Sequence, residues 1–419
     1  MTDNAAPSVL HRRRMKKPLL PPDLVVILSG VTAALHVGKL PPALPVLREA
    51  LGVTLLQAGF LLSLTQLAGM TMGLAVGLTA DGLGLRRCML AGLSILAAAS
   101  ALGGCAREAS DLLWLRAVEG FGFLLVSLPA PSLIRQLVPR ERLSLRLGLW
   151  GAYMPFGTAL ALLCGPWVMK ALGWQGWWWS LAALSAGMAL WTALGVPSDA
   201  RRRAAVAAPQ NAAGATVAGE GWGQRMRQTL AAPGPWLVAL IFAMYSGQWL
   251  AVIGFLPTLY DQAGVSGGLA GALTALAASV NVLGNIGSGR LLHRGLRPAH
   301  LLHLGFAAMA LGAFVTYALP DDTSPLLRYA GVLMFSGVGG MIPATLFSLA
   351  VRLAPGERTV STTVGWVQQC SSFGQFAGAP LVAWVAGSVG GWQWTWAVTG
   401  AACVIGVLLA TRLPLPPRS

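Results

Sequence analysis

Apolar runs of about 20 residues, the length needed to cross roughly 30 Å of hydrocarbon, recur along almost the whole chain. A soluble core could not bury them all. Over 419 residues, 55% are hydrophobic and 10% charged, against roughly 25% charged in soluble domains. The chain therefore reads as a polytopic membrane protein. Helices satisfy their own backbone in lipid, and the alternating ten-residue segments of a barrel are missing, so the expectation is all-α.

Taken between charged or Pro/Gly-rich breaks, the runs predict twelve transmembrane helices. They cover about 24–43, 55–79, 87–106, 111–133, 144–169, 176–196, 235–258, 269–291, 299–319, 326–350, 361–387 and 393–412. This gives an N-terminal tail (1–23), a six-helix bundle (24–196), a cytoplasmic linker (197–233), a second six-helix bundle (234–413) and a C-terminal tail (414–419), with both termini cytoplasmic. The bundles repeat each other. Gly52-Val53, Ala58-Gly59 and Gly77 recur about 212 residues later as Gly264-Val265, Ala270-Gly271 and Gly289. Ser144, Gly148, Phe156 and Gly157 recur about 217 later as Ser361, Gly365, Phe373 and Gly374. Two pseudo-symmetric units are expected.

The net charge of +15 would suggest nucleic acid in a soluble protein, but its distribution says otherwise. The predicted spans place most Lys and Arg on one side, including Arg12, Arg13, Arg14, Lys16, Lys17, Arg135, Arg201, Arg202, Arg203, Arg294, Arg297, Arg352 and Arg412. The positive-inside rule makes that side the cytoplasm, and nucleic-acid binding is not expected. The five cysteines lack CxxC spacing and read as small core residues, not a disulfide frame or metal site. A basic stretch precedes the first apolar run without a cleavage site, as in a retained tail. Trp174, Trp177, Trp178 and Trp179, matched by Trp392, Trp394 and Trp396, read as an aromatic belt at the outer interface. The expected partners are the bilayer and a small-molecule substrate, with no cofactor and the chain working as a monomer. A bacterial inner membrane is the expected location.

Between the second and third helices stands Gly73-Leu-Ala-Val-Gly77-Leu-Thr-Ala-Asp81-Gly82-Leu-Gly84-Leu-Arg86-Arg87. It resembles the G-x-x-x-D-x-x-G-R-R loop of the major facilitator superfamily, with Gly82 and Leu85 where basic residues are usual. Gly289 to Arg297 is a degenerate copy with His293 in place of the Asp. Arg116-Ala-Val-Glu119-Gly120-Phe-Gly122 resembles the family's R-x-x-(Q/E)-G-x-G pattern, and Pro139-Arg-Glu141-Arg142 and Pro355-Gly-Glu357-Arg358 are copies of one element. Gly165-Pro166 is similar to the antiporter glycine-proline motif, although Ala161 stands where a glycine is usual. Phe255-Leu-Pro257 with Gly264-Val-Ser266 is similar to the cyanate and nitroimidazole porter group. The resemblance implies gating loops with Gly77, Asp81, Gly84, Arg86, Arg87, Glu141, Arg142, Glu357 and Arg358, in which Asp81 with Arg86 or Arg87 latches the outward-open state; the alternative is a plain positive-inside turn. The resemblance also implies a central cavity lined by the first, fourth, seventh and tenth helices.

Charges inside a membrane helix cost about 2.5–3.5 kcal/mol on insertion scales, so each is a functional candidate. Lys39 lies about sixteen residues into the first helix, in its outer third at 1.5 Å per residue. Arg116 reaches a similar depth in the fourth, so the two cations are substrate-binding candidates. An alternative has Lys39 snorkelling outward beside Glu49. Glu119 shares the Arg116 face three residues on. It is either a proton-coupling acid or a static partner of Arg116, and His36 is either a second titrating group or a satisfied helix residue. The second half contributes neutral groups. Tyr245, Gln248, Asn281 and Gln368 are candidate substrate ligands, whereas Asn285 and the Ser371-Ser372 pair read as helix packing.

No phosphate loop, metal spacing or nucleophile elbow is present, so an enzyme is not expected. The leading reading is a secondary transporter that rocks two halves around a midplane site, moving a small polar, anionic solute in a proton-coupled way. Proton-driven efflux of drugs or metabolites is the alternative. A non-transporting receptor or membrane-embedded enzyme is the remote one.

Overall fold

The computed structural model describes residues 20–139, 142, 146, 149–200, 202, 222–265, 267–320, 322–356 and 359–414, without the side chains of 77–82, 222 and 361. Among the described residues the structure is helical, and nine helices are long and apolar enough to cross a membrane. These are α1 (Pro22–Leu51), α2 (Leu55–Val76), α3 (Leu85–Gly103), α4 (Ala109–Leu137), α5 (Tyr153–Gly195), α7 (Pro233–Gln262), α8 (Gly267–His293), α9 (Pro298–Tyr317) and α10 (Pro325–Arg352). Between them lies a short helix, α6 (Trp222–Ala231). Two more follow, α11 (Val360–Val389) and α12 (Thr395–Thr411).

Local chemistry sets the breaks. In α1 the helix pauses at Lys39 and restarts at Leu40 with proline in its first turn, where the missing N–H would have no intrahelical partner anyway. The first helix therefore runs past the predicted 43 to Leu51. The two predicted helices at 144–169 and 176–196 form one helical stretch interrupted at Gly173 (φ 73°, ψ 172°), a conformation open only to glycine. Contacts with α1 give the direction of each arm. Gly38 lies against Thr158 and Gly165 against Pro42, so the first arm runs parallel to α1. Ser29 meets Thr192 and His36 meets Ser185, so the second arm runs back.

The glycines of the sequence repeat are places where helices meet closely. A Cβ on Gly157 would stand 2.6 Å from Ala34 Cβ, and one on Gly374 would stand 2.2 Å from Ala243 O. These are the same contact made twice, between α1 and α5 and between α7 and α11. Gly59 and Gly271 do likewise across the halves. Their added Cβ atoms would lie 2.9 Å from Pro380 Cα and 2.8 Å from Pro166 Cγ. The halves thus join along two equivalent seams, α2 on α11 and α8 on α5.

Two apolar clusters span both halves. One joins Leu44, Leu47, Leu61 and Leu62 to Ala251, Phe255, Ala379 and Val382. The other joins Leu162 to Ile253, Leu256, Ala278 and Val332. Both draw on the C-terminal part of α7, the first with α1 and α2 and the second with α5, whereas the remaining clusters stay within one half.

Candidate functional site

The charged site is built where α1 pauses. Lys39 on α1 and Arg116 on α4 converge on the two oxygens of Glu119: the Lys39 ammonium donates to Oε1, and Arg116 NH1 donates to Oε2 at 2.6 Å. His36 Nδ1 lies 3.5 Å from Oε1, and His36 Nε2 meets Ser185 Oγ at 2.7 Å. Lys39 also donates to Ser100 Oγ at 3.1 Å, and Ser100 in turn donates to Trp178 O at 2.9 Å. The Trp178 ring covers the ammonium at 4.7 Å, a favourable cation–π distance. Lys39 is 0% exposed and His36, Arg116 and Glu119 are 1% each, so Lys39 does not snorkel to the surface beside Glu49.

Arg116 also grips backbone. Its Nε donates to Leu61 O at 3.1 Å and NH1 to His36 O at 2.7 Å. The guanidinium fork suits several acceptors at fixed angles, which an ammonium cannot match. Arg116 thus ties α4 to both α1 and α2, at the point where α2 tightens into a 3₁₀ turn over Leu64–Gln66.

The second half holds a neutral network. Asn281 Nδ2 donates to Tyr245 OH and to Ser336 O, both at 2.9 Å, and Trp249 Nε1 donates to Ser336 Oγ at 3.1 Å. Asn285 Nδ2 donates to Asn281 Oδ1 at 3.0 Å. Tyr245 and Asn281 are therefore brought together, joining α7, α8 and α10. Gln248 is turned away, accepting from Cys403 Sγ at 3.3 Å and donating to Met244 O at 2.9 Å. Gln368 is exposed on α11. Its neighbour Gln369 instead crosses between the halves, donating to Met70 O at 2.7 Å.

At the opposite end, Gly84 (φ 102°) starts α3, and the acceptor there is Asp199. Its carboxylate receives the backbone N–H of Arg86 at 3.1 Å and of Arg87 at 3.3 Å. It also pairs with Arg202, which donates to Gln136 Oε1 at 3.1 Å. A carboxylate at a helix N-terminus is favoured both by the free N–H groups and by the helix dipole. Arg142 is exposed. The side chain of Asp81, the surroundings of Gly77, and Glu141, Glu357 and Arg358 lie outside the described residues. Near the start of α1, Asp23 pairs with Arg146 at 2.8 Å.

Sequence reasoning missed Asp199, Ser100, Ser185 and the Asp23–Arg146 pair. Asp199 left a trace, an acid three residues before Arg202 in a stretch poor in acids. The two serines left none. The tryptophans divide: Trp179 and Trp394 are 49% and 51% exposed, but Trp174, Trp177 and Trp178 are buried, with Trp178 over Lys39, Trp177 donating to Lys39 O and Trp174 packed edge-on against Trp178.

The Major Facilitator Superfamily model matches residues 26–364, and the chain belongs to that family of membrane transporters. It is similar to the cyanate transport protein CynX of Escherichia coli (strain K12), at 25% identity over 94% of this chain and 97% of CynX. It is also similar to the human solute carrier family 2, facilitated glucose transporter member 10, at 27% identity over 72% of this chain and 58% of that protein. Among solved structures, a D-xylose–proton symporter superposes with a TM-score of 0.72 at 15% identity, covering 95% of this chain and 98% of the symporter. A bacterial homologue of the human lysosomal transporter Spinster, inward-facing and occupied, gives 0.73 at 16% identity, over 95% of this chain and 97% of that one. The protein is a multi-pass membrane transporter of a small molecule, not an enzyme.

Proposed function

We propose that this transporter moves a small anionic solute by alternating access and couples the movement to protons through Glu119. The observation that carries the reading is the sealed meeting of two cations with one carboxylate. Counting His36 as neutral, Lys39, Arg116 and Glu119 leave one excess positive charge at sites 0–1% exposed. An uncompensated buried charge is costly, and an anion relieves it. Protonating Glu119 frees both cations for an anion, and returning the proton restores the internal pairs. Similarity to a cyanate transport protein along nearly its whole length supports a compact anion.

The turn at Gly173, together with α11 and α12, supports twelve spans with both chain ends cytoplasmic. On that topology the halves are sealed toward the outside, and Tyr245 and Asn281 complete the polar lining from the second half. A bacterial inner membrane and a monomeric working unit fit this arrangement. Melting temperature read against a series of small anions and cationic drugs tests the reading, because a ligand of the folded state raises it. Stabilisation by the anions supports it; stabilisation by cationic drugs alone would turn the assignment to efflux.

A further inference from the structure

Resting on the anion reading, we propose that Thr65 on α2 and the free NH2 of Arg116 form the docking point for one compact monovalent anion. Both atoms are buried and make no hydrogen bond. Arg116 is 1% exposed and Thr65 2%. Native proteins rarely leave such donors unused, and a functional role is a leading reason when they do.

Thr229, Thr258 and Thr363 also leave buried hydroxyls unpaired, but among these threonines Thr65 is the one whose i−4 carbonyl accepts from Arg116. Thr32, Thr274, Thr316 and Thr345 each return their hydroxyl to the carbonyl four residues back, at 2.7–3.0 Å. For Thr65 that carbonyl is Leu61 O, and Arg116 Nε already occupies it. The backbone at Thr65 is also 3₁₀, a geometry that shifts the hydroxyl off the i−4 position. The same arginine that leaves NH2 spare thus bonds the carbonyl that the Thr65 hydroxyl would otherwise meet.

The two donors belong to one patch. Leu61 and Thr65 are successive turns of α2, and Arg116 and Gly120 are successive turns of α4. Arg116 bonds Leu61, while a Cβ on Gly120 would lie 2.5 Å from Thr65 O and 2.8 Å from its Cα. The helices touch there because Gly120 has no side chain. Charge then limits the ligand that docks while Glu119 is ionised and paired with Lys39 and Arg116 NH1: the one excess positive charge is neutralised by a monoanion, while a dianion would overshoot it, and Tyr245, Asn281 and Ser336 offer no further cation.

The test is uptake of labelled cyanate by the full-length protein in vesicles, with sulfate as a competing dianion. Thr65→Val is expected to raise KM about tenfold, the worth of one hydrogen bond to a charged group, with kcat held within about twofold, and Thr65→Ser is expected to restore KM. Should the valine variant fail to express, Thr65→Ala gives the same readout. An unchanged KM in these variants, with uptake lost in Arg116→Lys, overturns the docking point but leaves the anion reading standing. Unchanged uptake in both Thr65 and Arg116 variants overturns the anion reading itself. Competition by sulfate as strong as that by unlabelled cyanate overturns the monovalent assignment.

Discussion

Arg116 and Glu119 stand three residues apart on one helix face and meet at 2.6 Å, while the other oxygen of Glu119 belongs to Lys39 on α1. One carboxylate is shared between two helices and two cations, so its protonation state decides whether α1 and α4 are tied to each other through charge. That sharing is what makes Glu119 more than a neutralising partner in this account.

Removing either cation should remove the ligand's counter-charge. Lys39→Ala and Arg116→Ala are expected to lower binding of a small anion at least tenfold, in line with the roughly 2–5 kcal/mol lost when one partner of a buried charge pair is truncated. Expression and membrane insertion should persist. Titration of purified variants with the anion, followed by melting temperature, reads the effect.

The shared carboxylate also predicts a stability effect. In Glu119→Gln, two buried cations face each other without an anion, a loss on the order of 3–5 kcal/mol for a broken buried pair. The melting temperature should fall, and an added small anion should raise it by more degrees in the variant than in the parent protein. Equal ligand-induced shifts would argue that the anion does not sit near these cations.

The inter-half seams predict a conformational phenotype. Gly59→Val and Gly271→Val place a side chain where Pro380 Cα and Leu162 O stand 2.9 and 2.6 Å from the first added carbon. Overpacking of about 1–3 kcal/mol is expected to hold the halves apart. Transport should fall roughly 5- to 100-fold. A cysteine placed at Val382, buried in a cluster that joins them, should become reactive to an impermeant thiol reagent in these variants.

Asp199 predicts a local effect. Asp199→Ala removes the acceptor of two backbone N–H groups at the start of α3 and the partner of Arg202. A lost N-terminal cap costs about 0.5–2 kcal/mol. Faster hydrogen exchange confined to the Leu85–Cys88 turn, with the far end of α3 unchanged, is the expected result.

Much of this arrangement is legible in the sequence. The repeat glycines show two like units, and in the structure Gly59, Gly157, Gly271 and Gly374 all fall at close helix contacts. Lys39, Arg116 and Glu119 stood out because charges in apolar runs are rare, and depth along the helix placed them at one level. What stayed hidden depended on side-chain direction. Ser100 and Ser185 look like any small helix residue until an ammonium and an imidazole point at them. The buried tryptophans were indistinguishable from interface anchors, since both roles put an indole near a helix end. Gln248 carries the right chemistry but bonds Met244 and Cys403, a direction that helical spacing alone does not give. Asp199 acts across more than a hundred residues of chain, beyond the reach of any local pattern.

The most direct measurement of the central claim is uptake of a labelled small anion into vesicles under an imposed proton gradient, comparing the parent protein with Glu119→Gln. The account predicts acceleration by the gradient in the parent, and in the variant continued anion exchange that no longer responds to the gradient. Full retention of gradient-driven uptake in Glu119→Gln would contradict it.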